Sequence, residues 1–176
     1  LPGVGDAALR TGQLLLQGGH NPDVPLRWYE DLFRQVKQRY PDFRLHALSP
    51  PEVIHISRLS QLSVPVVIDR LIAAGLDSIP GGGAEILVDR VRRILNCYNK
   101  ATADEWLDVM RHAHHAGLRT TATMMYGTVE TMPERLEHLF RLRDLQDETG
   151  GFTAFIAWSF QPDHTELAGT EATGVE

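Results

Sequence analysis

The run TADEWLDVMRHAHHAGLRTTATMMYG, residues 102–127, contains a whole helix followed by a whole strand. Thr102 and Glu105 have the spacing at which a hydroxyl and a carboxylate close reciprocally on the free N–H groups of a first helical turn. Gly117 stands where a helix stops. The residues after it, LRTTATMM, are rich in β-branched side chains, the signature of a strand. Working outward, the same unit repeats. Strands are expected near residues 10–19, 43–49, 76–83, 118–127 and 152–162, at a spacing of roughly 33 to 42 residues. Helices are expected over 25–40, 49–60, 63–75, 84–95, 102–117 and 131–151. Ser49 and Ser63 read as N-caps, with Glu52 at the capping-box position behind Ser49.

Regular alternation of nearly continuous apolar strands with helices means an α/β fold with a covered parallel sheet. Two architectures satisfy it, a doubly wound sheet and a (β/α) barrel. No G-x-G-x-x-G follows the first strand, which argues against a dinucleotide fold. Five strands are too few to close a barrel, so a barrel would be open or lack a strand.

Composition narrows the function. The 176 residues are 43% hydrophobic and 23% charged, with a formal net charge of −6. That balance disfavours nucleic acid and anionic membrane surfaces as partners. No apolar run approaches the ~20 residues of a membrane span, and no leader pattern is present. Cys97 is the single cysteine, so a disulfide framework and a cysteine-only metal site within the chain are excluded. A cytoplasmic protein is the expectation. His112, His114 and His115 show no i,i+4 pair and no HExxH, and read as a solvated helix face. No metal site is expected from them. Cys97 falls between helices, away from the strand ends, and offers no nucleophile.

The loops after the strands carry the polar and glycine-rich residues, and in both architectures such loops build the site. Gln17, Gly18, Gly19 and His20 end the first strand. His46 and Ser49 end the second, with Glu52 close behind. Glu85 follows the three glycines of SIPGGGAEI, residues 78–86. It reads as lying in a first helical turn, where the helix dipole welcomes a carboxylate. Tyr126 ends the fourth strand, and Trp158 and Gln161 the fifth. A phosphate loop would place a lysine or a bare helix N-terminus after its glycines. A carboxylate there suits hydroxyl or amino groups instead, as on a small nucleoside-like molecule.

The runs LLLQGGHNPDVPLRWYEDLF, LHALSPPEV, GLDSIPGGGAEILVDRVR, TADEWLDVMRHAHHAGLRTTATMMYGTVET and LQDETGGFTAFIAWSFQP resemble the radical S-adenosylmethionine enzymes of the futalosine route to menaquinone. The resemblance covers about residues 10–167. DETGGFTAFIAWSFQP and SIPGGGAEI are most similar to the branch that cyclises dehypoxanthine futalosine. The aminofutalosine synthases and the deazaflavin-chromophore synthases are the neighbouring branches. The resemblance implies a partial TIM-like (β/α) barrel of the radical SAM type over residues 1–162, lacking its first strand. Residues 163–176 are expected to be a loosely ordered tail.

The implied cofactors are S-adenosyl-L-methionine and a four-iron four-sulfur (4Fe–4S) cluster, and the implied electron donor is a flavodoxin or ferredoxin. Gln17, Gly18, Gly19, Ser49, Glu52 and Glu85 correspond to cofactor-binding positions. His46, Tyr126, Trp158 and Gln161 correspond to substrate-binding ones. No catalytic residue is assigned. The family holds its cluster with a C-x-x-x-C-x-x-C loop after the first strand, and this sequence contains no such loop. The expectation is a fragment beginning after the cluster loop and cut short at its C-terminal end. Such a fragment would be inactive alone and poorly soluble, because its first strand would leave an open sheet edge. The rival of another class is a cluster-less module that binds a nucleoside-like ligand or a partner chain.

Overall fold

A computed structural model describes residues 12–163, so the tail expected over 163–176 lies almost wholly outside the described residues. Five strands, β1 (Gly12–Leu16), β2 (Phe43–Ala47), β3 (Ser78–Ile79), β4 (Arg119–Tyr126) and β5 (Phe152–Ser159), form one sheet. Every neighbouring pair is parallel and the order is β1-β2-β3-β4-β5. A doubly wound sheet reverses its strand order at a switch point. This one never reverses, so the helices share one face and the other face is left as a concave interior. The fold is a partial (β/α) barrel, open at β1 and β5.

The helices are α1 (Leu26–Arg39), α2 (Pro50–Ser60), α3 (Val64–Ala74), α4 (Asp89–Ile94), α5 (Ala103–His115) and α6 (Met132–Thr149). The capping boxes expected at Thr102 and Ser49 are made, while Ser63 stands at the N-cap position of α3 without a side-chain hydrogen bond. Thr102 Oγ1 accepts the Glu105 N–H at 3.1 Å and the Glu105 carboxylate accepts the Thr102 N–H at 2.8 Å. Thr131 and Glu134 repeat the exchange at the start of α6.

Strand alternation divides the sheet cleanly. Leu45, Ala47, Ile79 and Ala122 belong to the core under the helices, together with Phe33, Leu71 and Trp106. Each leucine, isoleucine or phenylalanine among them contributes about 1.5–3 kcal/mol when fully buried. The intervening residues, among them Leu15, His46, Thr123 and Trp158, line the concave side. His46 pairs in register with Leu15 and with Ser78 across β1, β2 and β3. Trp158 pairs with Met125. Leu15 is 59% exposed and Trp158 42% exposed, because among the described residues nothing fills the concavity.

Three sequence expectations change. The helix expected over 84–95 begins only at Asp89. Residues 84–88 form an irregular segment in which Glu85 has a left-handed φ of +40°. Glu85 therefore lies before the helix, and no helix dipole explains its carboxylate. His114 is not on a solvated face: it is buried between Thr149 and Thr120, whose hydroxyls lie 2.6 and 2.7 Å from its two ring nitrogens. Cys97 is not remote from the strand ends, as the cavity described next shows.

Candidate functional site

The cavity at the C-terminal ends of β1, β2 and β3 has a volume of about 310 Å³. Gln17, Gly19 and His20 from the loop after β1 line it, with Ser49, Pro51 and Glu52 from the start of α2. Gly83, Glu85, Arg92, Cys97 and Lys100 close the other side. Five of the six candidate cofactor residues, Gln17, Gly19, Ser49, Glu52 and Glu85, meet here, and Gly18 joins them through its backbone. The four candidate substrate residues do not line this cavity. His46 lies on the concave face below it, 8% exposed, with Nδ1 2.7 Å from Ser78 Oγ. Tyr126 lies under the Arg135 guanidinium, 5.2 Å from ring centroid to Cζ. Trp158 stands exposed on the concave face of β5. Gln161 donates to Ser159 Oγ at 3.2 Å beyond the end of β5.

Glu52 is a bracket inside the protein. One carboxylate oxygen accepts the Gly18 and Gly19 N–H groups at 2.7 and 3.0 Å. The other accepts the Ser49 N–H and hydroxyl, both at 2.7 Å. With four donors on two oxygens, its capacity is spent on joining the β1 loop to α2. The Gly18 and Gly19 N–H groups are thus engaged within the protein.

Glu85 is different. Its Oε2 is buried with no hydrogen-bond partner, and burial pushes the carboxyl above its ordinary pKa. Arg92 Nη1 lies 3.8 Å away and opposes the shift, yet burial outweighs it. The Arg92 guanidinium is committed elsewhere. Wholly buried, it donates to the carbonyls of Ala101 (2.8 Å), Ala84 (2.7 Å) and Gly83 (3.1 Å).

Two of the three glycines now have reasons. A Cβ on Gly81 would come within 2.6 Å of the Thr121 carbonyl oxygen, so only bare backbone can lie against β4. Gly83 has a φ of +77°, and a Cβ there would meet Pro51 at 2.4 Å. The loop is pressed between α2 and β4, and Glu85 is presented at its end.

Lys100 brings a cation to the cavity lining, where His20 also stands. His20 and His55 stack with ring centroids 5.0 Å apart and planes 7° apart. Burial lowers the His20 pKa, and the nearby His55 and Lys100 lower it further. Cys97 is buried, its thiol contacts the Arg92 carbonyl at 3.5 Å, and burial raises its pKa. It is a protonated thiol, not a nucleophile. Among the described residues no cluster of three or more His, Cys, Asp or Glu could hold a metal ion.

The site is thus a polar cavity at the rim of a parallel (β/α) sheet, with the Glu85 carboxylate near Arg92 and with Lys100 in its lining. The family model for the radical SAM superfamily matches residues 5–142. The chain belongs to the radical SAM superfamily. It is 45% identical over 162 residues to cyclic dehypoxanthine futalosine synthase of Streptomyces coelicolor, covering 92% of this chain and 40% of that protein. It is 46% identical over 156 residues to aminodeoxyfutalosine synthase of Thermus thermophilus, covering 89% of this chain and 42% of that protein. It is 47% identical over 150 residues to 5-amino-6-(D-ribitylamino)uracil–L-tyrosine 4-hydroxyphenyl transferase 1 of Methanosarcina acetivorans, covering 85% of this chain and 40% of that protein. The chain thus spans about two-fifths of the length of these curated relatives. No helix among the described residues is long and apolar enough to cross a membrane.

Arg92, Lys100 and His20 were not marked as site residues by the sequence reading. Arg92 left one trace: an arginine on the buried side of an otherwise apolar segment, VDRVRRIL, needs partners inside the protein. His20 was placed at the rim by its position after the first strand but given no role, and Lys100 left no comparable trace.

Proposed function

We propose that the longer protein of which this sequence forms part cyclises dehypoxanthine futalosine by radical SAM chemistry, and that the 310 Å³ cavity receives S-adenosylmethionine. The observation that carries the cofactor reading is the Glu85 side chain lining the cavity: its Oε2, 3.8 Å from Arg92 Nη1, takes no hydrogen bond, and it stands at the end of a loop too tight at Gly81 and Gly83 for any side chain. A buried acceptor without a donor costs about 1–3 kcal/mol, so a ligand bringing an ammonium or hydroxyl recovers that loss. S-adenosylmethionine has both. When bound to a 4Fe–4S cluster it supplies a strong hydrogen-atom abstractor, chemistry that belongs to the cofactor rather than to the side chains.

The side chains bind and orient. Glu85 accepts from the ligand. Lys100 and His20 face its carboxylate from the cavity mouth. Glu52 holds the Gly18–Gly19 turn in place, so that Gln17 projects toward the same space. On the concave face, His46 and Trp158 are placed to meet a substrate below the cofactor, whereas Tyr126 turns to the helix side under Arg135. Exposed Trp158 offers a flat apolar face for an aromatic or nucleoside-like group.

The cluster does not fit the residues described. Cys97 is the sequence's single cysteine, it is buried, and its thiol holds its proton. The cluster ligands are therefore assigned to parts of the longer protein outside these 176 residues, and an electron donor reaches the cluster there.

The cyclase reading is favoured by the extent of the match, 162 residues against 156 and 150 for the other two activities. Two experiments test it. Titration calorimetry of this chain with S-adenosylhomocysteine, which needs no cluster, tests the cavity. Loss of binding in Glu85→Gln supports the assignment, and undiminished binding refutes it. Assay of the cluster-loaded longer protein with dehypoxanthine futalosine, and separately with the substrates of the other two activities, tests the reaction. Turnover of another substrate alone would overturn the cyclase reading.

A further inference from the structure

Residues 81–88 have no helix and no sheet ladder to satisfy their backbone, so each polar group needs another partner. The partners come from four surrounding elements. On β4, Thr121 Oγ1 accepts the Gly81 N–H at 2.9 Å and Thr123 Oγ1 donates to the Gly81 carbonyl at 2.5 Å. Trp106 Nε1 of α5 donates to the Gly82 carbonyl at 3.1 Å. Arg92 of α4 takes the next two carbonyls. The Met125 N–H donates to the Glu85 carbonyl at 3.0 Å. The last partner is α6: His138 Nδ1 accepts the Leu87 N–H at 3.0 Å and Arg141 Nη1 donates to the Leu87 carbonyl at 3.1 Å.

His138 has no exposure. A backbone N–H can only donate, so Nδ1 must be bare and the ring proton sits on Nε2. Nε2 is itself buried without a hydrogen-bond partner, and the Thr123 backbone is the group that favours its proton. An aliphatic side chain at this position would leave the Leu87 N–H without its acceptor; that bond, at 3.0 Å, is the well-formed contact of the ring. Leu87 lies two residues from Glu85, and the segment between them is wholly buried at Ile86.

We propose that His138 is a positioning residue for Glu85: by accepting the Leu87 N–H it fixes the far end of the glycine loop and sets where the Glu85 carboxylate stands in the cavity. The proposal builds on the reading of Glu85 as the cofactor's acceptor. His138 does not itself touch the cavity.

The test compares His138→Phe, which fills the space without an acceptor, with His138→Asn, whose side-chain oxygen can take the place of Nδ1. Amide hydrogen exchange is followed residue by residue in this chain. In H138F the Leu87 amide is expected to exchange about tenfold faster or more, one buried hydrogen bond's worth. The Met125 amide, which reports the Glu85 backbone, should accelerate with it, while β4–β5 ladder amides keep their rates. H138N should restore both. Acceleration at Leu87 with Met125 unchanged would overturn the proposal, because His138 would then hold only its immediate neighbour. Equal loss of protection everywhere in both variants would overturn it too, marking His138 as a general core residue. S-adenosylhomocysteine titration separates the two levels. If the wild-type chain binds it, H138F should bind at least tenfold more weakly and H138N should recover most of the affinity. Absence of wild-type binding would sink the cofactor reading alone, and the exchange pattern would still decide the positioning role.

Discussion

Replacing Arg92 by alanine should be the most damaging single change at this site. The guanidinium is fully buried and makes three hydrogen bonds to backbone carbonyls, of Gly83, Ala84 and Ala101. Hydrogen bonds from a charged donor are each worth about 1.5–3 kcal/mol, but three bonds from one group do not add, since relaxation recovers part of the loss. Each buried carbonyl left without a donor costs about 1–3 kcal/mol, so with partial relaxation the three together should cost about 3–5 kcal/mol. Against a total stability of about 5–15 kcal/mol, that is a large fraction. At about 2–4 °C per kcal/mol for a chain of this size, the melting point should fall by roughly 6–20 °C. Urea unfolding followed by tryptophan fluorescence suits the test, because Trp106 donates to Gly82 in the same loop. Arg92→Met separates charge from volume: it fills much of the space but leaves all three carbonyls unpaired, so it should cost nearly as much as alanine. Arg92→Lys should fall between, since one ammonium cannot reproduce a planar fork. If Arg92→Met unfolds within about 1 kcal/mol of wild type, the carbonyls do not depend on the guanidinium and the account of the loop is wrong.

Three further outcomes are expected. Burial lowers the pKa of both His114 and His138 to about 4, from an ordinary 6.5. Unfolding releases each to take up a proton between those values, so stability should be full above pH 6.5 and decline toward pH 4, by about 3 kcal/mol per histidine; a flat stability profile over that window would contradict the burial of both rings. Because burial raises the Glu85 pKa, the charged form is a burden on the empty fold above the ordinary carboxylate range. Glu85→Gln should therefore keep or raise the melting point at pH 7 while weakening ligand binding, and a clear loss of stability would mean that Glu85 is structural. Glu52→Gln should do the opposite, since an amide N–H₂ would face donors on Gly18 and Gly19 or on Ser49, at a cost of about 1.5–3 kcal/mol measured by denaturant titration.

Most element positions were legible because they rest on local chemistry. The pairs Ser49–Glu52 and Thr102–Glu105 announce helix starts that the structure confirms. The β-branched run of β4 stands where it was expected. The error at residues 84–88 has a clear cause. Ala84, Ile86 and Leu87 have spacing that a helix tolerates, but the carbonyls that would begin the helix are taken by Arg92. His114 was misread for a related reason. Helical spacing put it beside His112 and His115, and only the packing of α5 against α6 and β4 places Thr149 and Thr120 at its two nitrogens.

The sequence by itself determined the alternation of strands and helices, the rim on which polar residues gather, and the resemblance to the radical SAM family that the comparisons bear out. These follow from capping pairs, periodicity and motifs, all of them short-range in the chain. The tertiary structure decided between the two α/β architectures, because strand order is a relation among segments more than thirty residues apart. It also decided the roles of the two acids. Glu52 and Glu85 each follow a loop at the strand ends and look alike in sequence. Glu52 meets four donors from β1 and α2, while Glu85, held with a φ of +40° by contacts from α4, β4 and α6, is left with an acceptor that no donor meets. Hydrogen-bond satisfaction is a property of what surrounds a group in space, and spacing along the chain does not encode it.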